Sequence, residues 1–319
     1  MRLSRVGQVA LLLLLASCAA IEPRHQDAAV LLPVIETKII AAIGAEGDDL
    51  VLRISHPDGS GPFPLIVFSH GAGCAEASYR PVIDNWVSHG YVVIEPTHPD
   101  STTFGATDFS RMREYADTRI DAMSEVLDGL DVIEARVPGL AGKIDRDHVA
   151  AAGHSMGAAT AMVAAGLEAK DKSGALTHHS DRRFDAAVLL GGPGILPTTP
   201  EESWRHYATP TLVTTGTNDV TQTNKNKPEG WRWRLGAFEL TPPGDKYALV
   251  VDGQDHFMGG LICGSNIENP RPDEDALVLV NEVTVAFLDA YLKGDDKARK
   301  FLADNTIHKT NPRADLMSR

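Results

Sequence analysis

Gly153-His154-Ser155-Met156-Gly157 is a G-x-S-x-G pentapeptide between a short apolar run, Val149–Ala152, and an Ala-rich segment, 156–168. A strand entering and a helix leaving such a turn would project the Ser155 hydroxyl at a helix N-terminus, where the dipole favours a developing negative charge. A serine hydroxyl attacks poorly until a base removes its proton. Asp252-Gly253-Gln254-Asp255-His256-Phe257 follows the last apolar run and offers His256 as that base. Thr214-Thr215-Gly216-Thr217-Asn218-Asp219 ends the run before it and offers Asp219, whose task would be to fix the imidazole tautomer and stabilise the imidazolium. Asp252 and Asp255 share a loop with His256 and are too near in the chain to reach its far nitrogen. A tetrahedral intermediate also needs donors already aimed at its oxygen. Met156, beside the nucleophile, would supply one N–H. The loop Ser69-His70-Gly71-Ala72-Gly73-Cys74 would supply the other, from Ala72 with Gly71 a close second.

Substrate contacts are less marked. His98 follows the run Tyr91–Ile94 at the same end of the expected sheet and is read as lining the pocket or holding a loop there. Trp231 and Trp233, with Phe104, Phe109, Phe257 and Met258, follow predicted strands and offer an apolar wall for an acyl or alcohol group. The plainer reading of the tryptophans is packing on the sheet. Arg80, Arg232 and Arg234 are isolated, so no arginine cluster marks a substrate carboxylate or phosphate.

The elements that must hold these residues alternate in type. Val34–Ile43 and Leu50–Ile54 read as an antiparallel pair. Leu65–Phe68, Tyr91–Ile94, Val149–Ala152, Ala186–Leu190, Thr211–Thr214 and Tyr247–Val251 are short and continuously apolar, as in strands buried on both faces of a parallel sheet. Helices are expected over Ala77–His89, Arg113–Ala135, 156–168, 229–239 and Leu277–Leu292, the second from its stripe of Ile120, Met123, Val126, Leu127, Leu130 and Ile133. The stretches 170–183 and 193–210 read as surface excursions. This is an α/β pattern: one domain over 34–319 with a mostly parallel, eight-stranded, doubly wound sheet, and ligands beyond the carboxyl ends of its strands.

Composition limits the partners. The 319 residues are 43% hydrophobic and 23% charged, as in a globular protein, and the formal charge is −13 with no Lys/Arg cluster, which argues against nucleic acid. Without a C-x-x-C pair or H-E-x-x-H, neither a metal nor a cofactor is expected. Arg2 and Arg5 precede a short apolar stretch, Val9–Ala16, the layout of a secretory signal. Leu15-Ala16-Ser17-Cys18 resembles the lipobox of bacterial lipoproteins. That resemblance implies cleavage after residue 17, lipidation of Cys18, a tether over 18–33 and attachment to a membrane, the outer one facing the periplasm because Ala19 is no retention aspartate. In an exported chain the remaining two cysteines, Cys74 and Cys263, are expected to pair.

The stretch Pro64-Leu-Ile-Val-Phe-Ser-His-Gly-Ala-Gly, then His89-Gly-Tyr-Val-Val-Ile-Glu-Pro-Thr-His-Pro, together with the elements above, resembles the α/β-hydrolase superfamily over about residues 34–295. Within it the chain looks most like predicted dienelactone hydrolases and bacterial relatives of platelet-activating-factor acetylhydrolase. The resemblance implies an α/β-hydrolase fold, a Ser155-Asp219-His256 triad and a small or medium carboxylic ester as substrate. True dienelactone hydrolases use a cysteine where this chain has Ser155. The acetylhydrolases carry their acid after the sixth strand, where this chain has Gly191-Gly192-Pro193, so the acid is expected from the later strand, as in cutinases and lipases. The same triad would also serve lipase- or polyester-type cleavage or acyl transfer. A non-catalytic binding lipoprotein is the alternative from another class.

Overall fold

The computed structural model describes residues 31–44, 47–227, 230–264, 267 and 269–319. The expected signal peptide over 1–17, Cys18 and most of the tether lie outside the described residues. The main sheet has nine strands. In chain order its members are β1 (Val34–Ala42), β2 (Asp49–Pro57), β3 (Phe63–Ser69), β4 (Val92–Pro96) and β5 (Ile144–His154), then β8 (Ala186–Leu190), β9 (Thr211–Asn218), β10 (Lys246–Asp255) and β11 (Ala314–Ser318). Two short strands, β6 (Ala169–Lys170) and β7 (Leu176–Thr177), form a separate ribbon. The order across the main sheet is β1-β2-β4-β3-β5-β8-β9-β10-β11. The five pairings from β4 through β3, β5, β8 and β9 to β10 are parallel; β1–β2, β2–β4 and β10–β11 are antiparallel.

The apolar runs are continuous because both faces of the strands are covered. Along β3, Ile66 and Phe68 enter one core with α1 (Arg80–Ser88), α6 (Glu274–Leu292) and α7 (Asp296–Asp304). Leu65 and Val67 enter the other with α2 (Met112–Asp128), α3 (Leu130–Arg136) and α4 (Met156–Ala164). A run with no polar alternation is what two buried faces require.

The sheet reverses its winding at β3, with β4 on one side and β5 on the other, and such a switch point opens a crevice at the strand ends. Register does the rest. Ser69 pairs with Gly153, His154 with Leu190, Leu190 with Thr214 and Asn218 with Asp255, so the segments leaving β3, β5, β8, β9 and β10 emerge side by side.

Several elements differ from the sequence reading. The ninth strand, β11, comes from the tail and covers the β10 edge. The helix expected over Arg113–Ala135 divides at Gly129 into α2 and α3. A Cβ there would lie 2.6 Å from Cγ2 of Ile43, so the chain passes too close to β1 for any side chain. The 229–239 helix is a 3-10 turn, Gly230–Leu235, followed by the single-turn α5 (Gly236–Glu239). The stretch 193–210 is only partly a surface excursion, because Trp204 and Tyr207 are fully buried and floor it. No helix of the described residues is long and apolar enough to cross a membrane.

Candidate active site

Ser155 sits between β5 and α4 with φ 55° and ψ −115°, a left-handed conformation that side chains other than glycine seldom adopt. Its neighbours hold it there. A Cβ on Gly153 would lie 2.3 Å from the Gly157 carbonyl oxygen, and one on Gly157 1.9 Å from that of Ser69. The two glycines let three backbone segments close around the turn, and the Ser155 N–H donates to the Leu190 carbonyl at 2.9 Å. The strain therefore rests on packing rather than on Ser155 itself.

His256 Nε2 lies 2.8 Å from Ser155 Oγ, and His256 Nδ1 lies 2.8 Å from Asp219 Oδ1. Ser155, His256 and Asp219, 101 and 37 positions apart in sequence, thus come together in one row. Asp255 does not touch the far nitrogen; its Oδ1 accepts the N–H groups of Phe257 and Gly259 at 2.9 and 2.8 Å and shapes the turn that carries His256. Asp252 instead accepts from Thr217 Oγ1 at 2.8 Å.

Asp219 is fully enclosed. Its Oδ2 accepts from Thr215 Oγ1 at 3.1 Å, and its Oδ1 is shared between the imidazole and Arg234 Nε, also at 3.1 Å. Arg234 donates further to the Gly191 carbonyl at 3.2 Å and to Thr221 Oγ1 at 2.9 Å, so one buried guanidinium joins the acid, the end of β8 and a pocket wall. In sequence Arg234 is only one of three isolated arginines; in the structure it faces the buried Asp219 carboxylate. Burial works to raise the Asp219 carboxyl, but the facing imidazole and guanidinium outweigh it and hold the group below its ordinary value. Burial is the main influence on His256 and pushes it below the usual imidazole range against the pull of Asp219. Gly191 explains why no acid follows β8: a Cβ there would lie 2.9 Å from His256 Cε1 and 3.3 Å from Asp219 Oδ2.

The loop after β3 is fastened from behind. Arg119, on α2, is fully buried and pairs with Asp100 through Nε at 2.9 Å and Nη2 at 2.7 Å. Its Nη1 donates to the His70 carbonyl at 2.8 Å and Nη2 to that of Gly71 at 3.4 Å, while Asp100 Oδ2 accepts the Gly73 N–H at 3.3 Å. The Gly71 N–H is occupied, donating to Tyr79 Oη at 2.9 Å. Tyr79 in turn donates to His154 Nδ1 at 2.8 Å, and His154 Nε2 to the carbonyl of His256 at 2.9 Å. This chain ties the loop to the imidazole's own backbone and leaves the Gly71 N–H engaged. Among the described residues the N–H groups of Ala72 and Met156 have no partner, and Ala72 lines the Ser155 pocket.

His98 is fully buried behind that loop, its N–H donating to His70 Nε2 at 3.0 Å and its Nε2 lying 2.8 Å from Ser69 Oγ. It holds the loop and does not reach the pocket. Nor do the tryptophans. Trp233 lines a separate cleft of about 520 Å³ with Ile195 and Leu240, and Trp231 packs against the core of the α2–α4 face. Phe104 and Phe109 are exposed, and Met258 is buried beneath. The Ser155 pocket measures about 210 Å³, with Cys74, Phe257 and the Thr221-Gln222-Thr223 segment among its walls.

Cys74 and Cys263 form a disulfide, with Cα atoms 5.3 Å apart and 189 residues between them in sequence. It joins the loop after β3 to the loop after His256, across the pocket. His154 lies beside both sulfurs, within 4.8 Å, but the sulfurs are bonded to each other and both imidazole nitrogens are engaged, so the cluster offers a metal neither a thiolate nor a free imidazole nitrogen. Closing so long a loop restricts the unfolded chain by up to about 5 kcal/mol. Mild reductant is expected to lower the melting temperature and to loosen the pocket, and free-thiol titration of the unreduced protein to find neither cysteine. Two titratable thiols would show the bridge absent.

The residues that sequence reasoning missed are Arg119, Asp100, Tyr79 and the structural use of His154. One signal existed. Tyr115, Arg119 and Met123 recur every four residues, so the arginine sits on the buried face of α2, where an unpaired charge would be costly.

Sheet order, the strained serine turn and the relay above it define the architecture of an α/β-hydrolase in a single domain. A family profile described as Chlorophyllase matches residues 37–178. The chain is also similar to the platelet-activating factor acetylhydrolase of Cavia porcellus, 23% identical over 279 residues, which covers 74% of this chain and 58% of that protein. The chain thus spans little more than half the length of that relative.

Proposed function

We propose that this chain is a serine carboxylic ester hydrolase working through an acyl-enzyme. The observation that carries the reading is the continuous relay from Ser155 Oγ through His256 to Asp219, two contacts of 2.8 Å each. Ser155 Oγ bonds to the ester carbonyl carbon as its proton passes to His256 Nε2. The N–H groups of Ala72 and Met156 receive the charge that develops on the carbonyl oxygen. The bond to the alcohol then breaks, and His256 returns the proton to the departing oxygen. Water, deprotonated by the same imidazole, attacks the acyl-enzyme and releases the carboxylic acid and the free serine. Asp219 keeps the Nδ1–H tautomer and stabilises the imidazolium throughout. The 210 Å³ pocket suits a small or medium ester.

Turnover of p-nitrophenyl acetate should be blocked by a serine-reactive organophosphonate, with the adduct on the peptide containing Ser155. Full turnover after complete labelling would sink the reading. The pH profile carries a second expectation. His256 faces Asp219, Arg234, the Asp255 carboxylate and the ring of His154, whose centroid is 4.6 Å away and which burial keeps neutral. With burial holding the imidazole below 6.5, the acid limb of kcat/KM lies below that pH, since protonated His256 cannot accept the serine proton. Arg234→Gln removes a cation that disfavours the imidazolium and should move the limb to higher pH. An unmoved limb would mean that Arg234 acts on shape alone.

The leader and Cys18 extend the proposal to an exported, membrane-attached enzyme, anchored by lipid on that cysteine and facing the periplasm from the outer membrane. Cys18→Ala should shift the protein from the membrane pellet to the soluble fraction; unchanged pelleting would exclude the anchor.

A further inference from the structure

A second cavity, of about 110 Å³, begins one residue beyond the nucleophile. Met156, Ala159, Thr160 and Val163 line it along one face of α4, a spacing of three, four and seven that runs from the first residue of the helix through two turns, roughly 10 Å. Ile120 of α2 and Leu196 of the segment after β8 face that stripe. The Lys170 N–H donates to the Thr198 carbonyl at 2.7 Å and fastens the β6–β7 ribbon to the same segment. Between Ala158 and Val163, helix positions that are otherwise buried, Ala159 is only half-buried, as is Met156 at the helix start: among the described residues no side chain fills the space beside them. The Ser155 pocket and this cavity share no lining residue. Met156 lines the cavity and follows Ser155 directly in the chain, and a methionine side chain is flexible enough to swing aside.

We propose that this cavity is the subsite for the aliphatic acyl chain of the ester, with the Met156 side chain as its door. The inference rests on the ester hydrolase reading and adds the substrate's chemistry. The side of the ester follows from proton transfer. The departing alcohol oxygen must lie against His256 Nε2 to be protonated, so the alcohol occupies the pocket beside Phe257 and the Thr221 segment. The acyl chain extends the other way, past the Met156 N–H, and none of the cavity lining comes from the Asp219 or His256 loops. At roughly 30 Å³ per methylene, taken as the volume share of a water molecule, the space holds three or four carbons beyond the carbonyl. Butyryl and pentanoyl chains fill it. Longer chains overrun it.

The test is a panel of p-nitrophenyl esters from acetate to decanoate, read within each protein as the ratio of kcat/KM to that for acetate. Each buried methylene is worth about fourfold, so the wild-type ratio should climb roughly tenfold or more by butyrate, peak by pentanoate and fall at octanoate. Ala159→Leu, which fills the cavity, should flatten the ratio for pentanoate to near one. Leu196→Ala, which widens it from the opposite wall, should move the peak to a longer chain, and it decides the matter if Ala159→Leu fails to fold. Profiles of both variants that superimpose on the wild type would overturn the subsite while leaving the hydrolase standing. A wild-type protein that turns over no ester at all would overturn the hydrolase reading itself.

Discussion

Ser155→Ala is expected to lower kcat for p-nitrophenyl acetate by about six orders of magnitude while leaving the fold intact. The loss is large because, in the proposed mechanism, the hydroxyl is the atom that bonds to substrate. With it gone, the imidazole 2.8 Å away has no proton to take, and the relay through Asp219 has nothing to activate. What remains is the polarisation of the carbonyl by two N–H groups, roughly 10³–10⁴ over water. Stability should hardly move. The conformation at φ 55° is imposed by Gly153, Gly157 and the backbone of Ser69, none of which the substitution touches, and alanine keeps the Cβ that serine already places there. The measurements are kcat against chain concentration and thermal melting by circular dichroism. Hydrolysis that survives unchanged in the variant would remove Ser155 from the mechanism.

Arg119→Met is expected to cost about 3–5 kcal/mol of stability, since it leaves the Asp100 carboxylate buried without its cation. For a chain of this size that is a fall in melting temperature on the order of 10 °C. Arg119 is fully buried and its Nη groups also hold the carbonyls of His70 and Gly71, which pins the loop carrying Ala72. Activity should therefore fall by more than stability explains, by about 10²–10³ if the Ala72 donor moves off its target. A double substitution, Arg119→Met with Asp100→Asn, separates the two effects. It should recover much of the melting temperature and little of the activity, because the stranded charge is gone but the loop is still unfastened. A single variant that melts with the wild type would show that the pair carries no such weight.

Much of the site was legible because its signals are local. A G-x-S-x-G turn needs its glycines within the pentapeptide, where the Gly157 and Ser69 backbones leave no room for a Cβ. Asp219 and His256 were legible through strand order, since each follows an apolar run that had to end at the same edge of the sheet. Which alternative held for Trp231, Trp233 and His98, pocket wall or packing behind it, was not legible for a related reason. Following a strand puts a residue near the edge, but whether its side chain faces the crevice depends on which neighbours cover it. His98 turns inward to Ser69 and His70, and Trp233 turns to a different cleft. The ninth strand went unread because a five-residue tail with weak alternation becomes a strand only when an edge such as β10 accepts it.

The amino-acid sequence alone determined the α/β alternation, the two buried faces of the strands and the serine turn, each set by periodicity or by contacts within a few residues. Only the tertiary structure decided what depends on contacts between segments distant in the chain. It occupied the Gly71 N–H with Tyr79, leaving that of Ala72 free; it set Arg119 and Arg234 against buried carboxylates; and it placed the expected Cys74–Cys263 bridge across the pocket. The division is physical. Backbone geometry and hydrophobic period act over one or two turns of chain, whereas the partner of a buried polar group is chosen by whatever the folded sheet brings within about 3 Å of it.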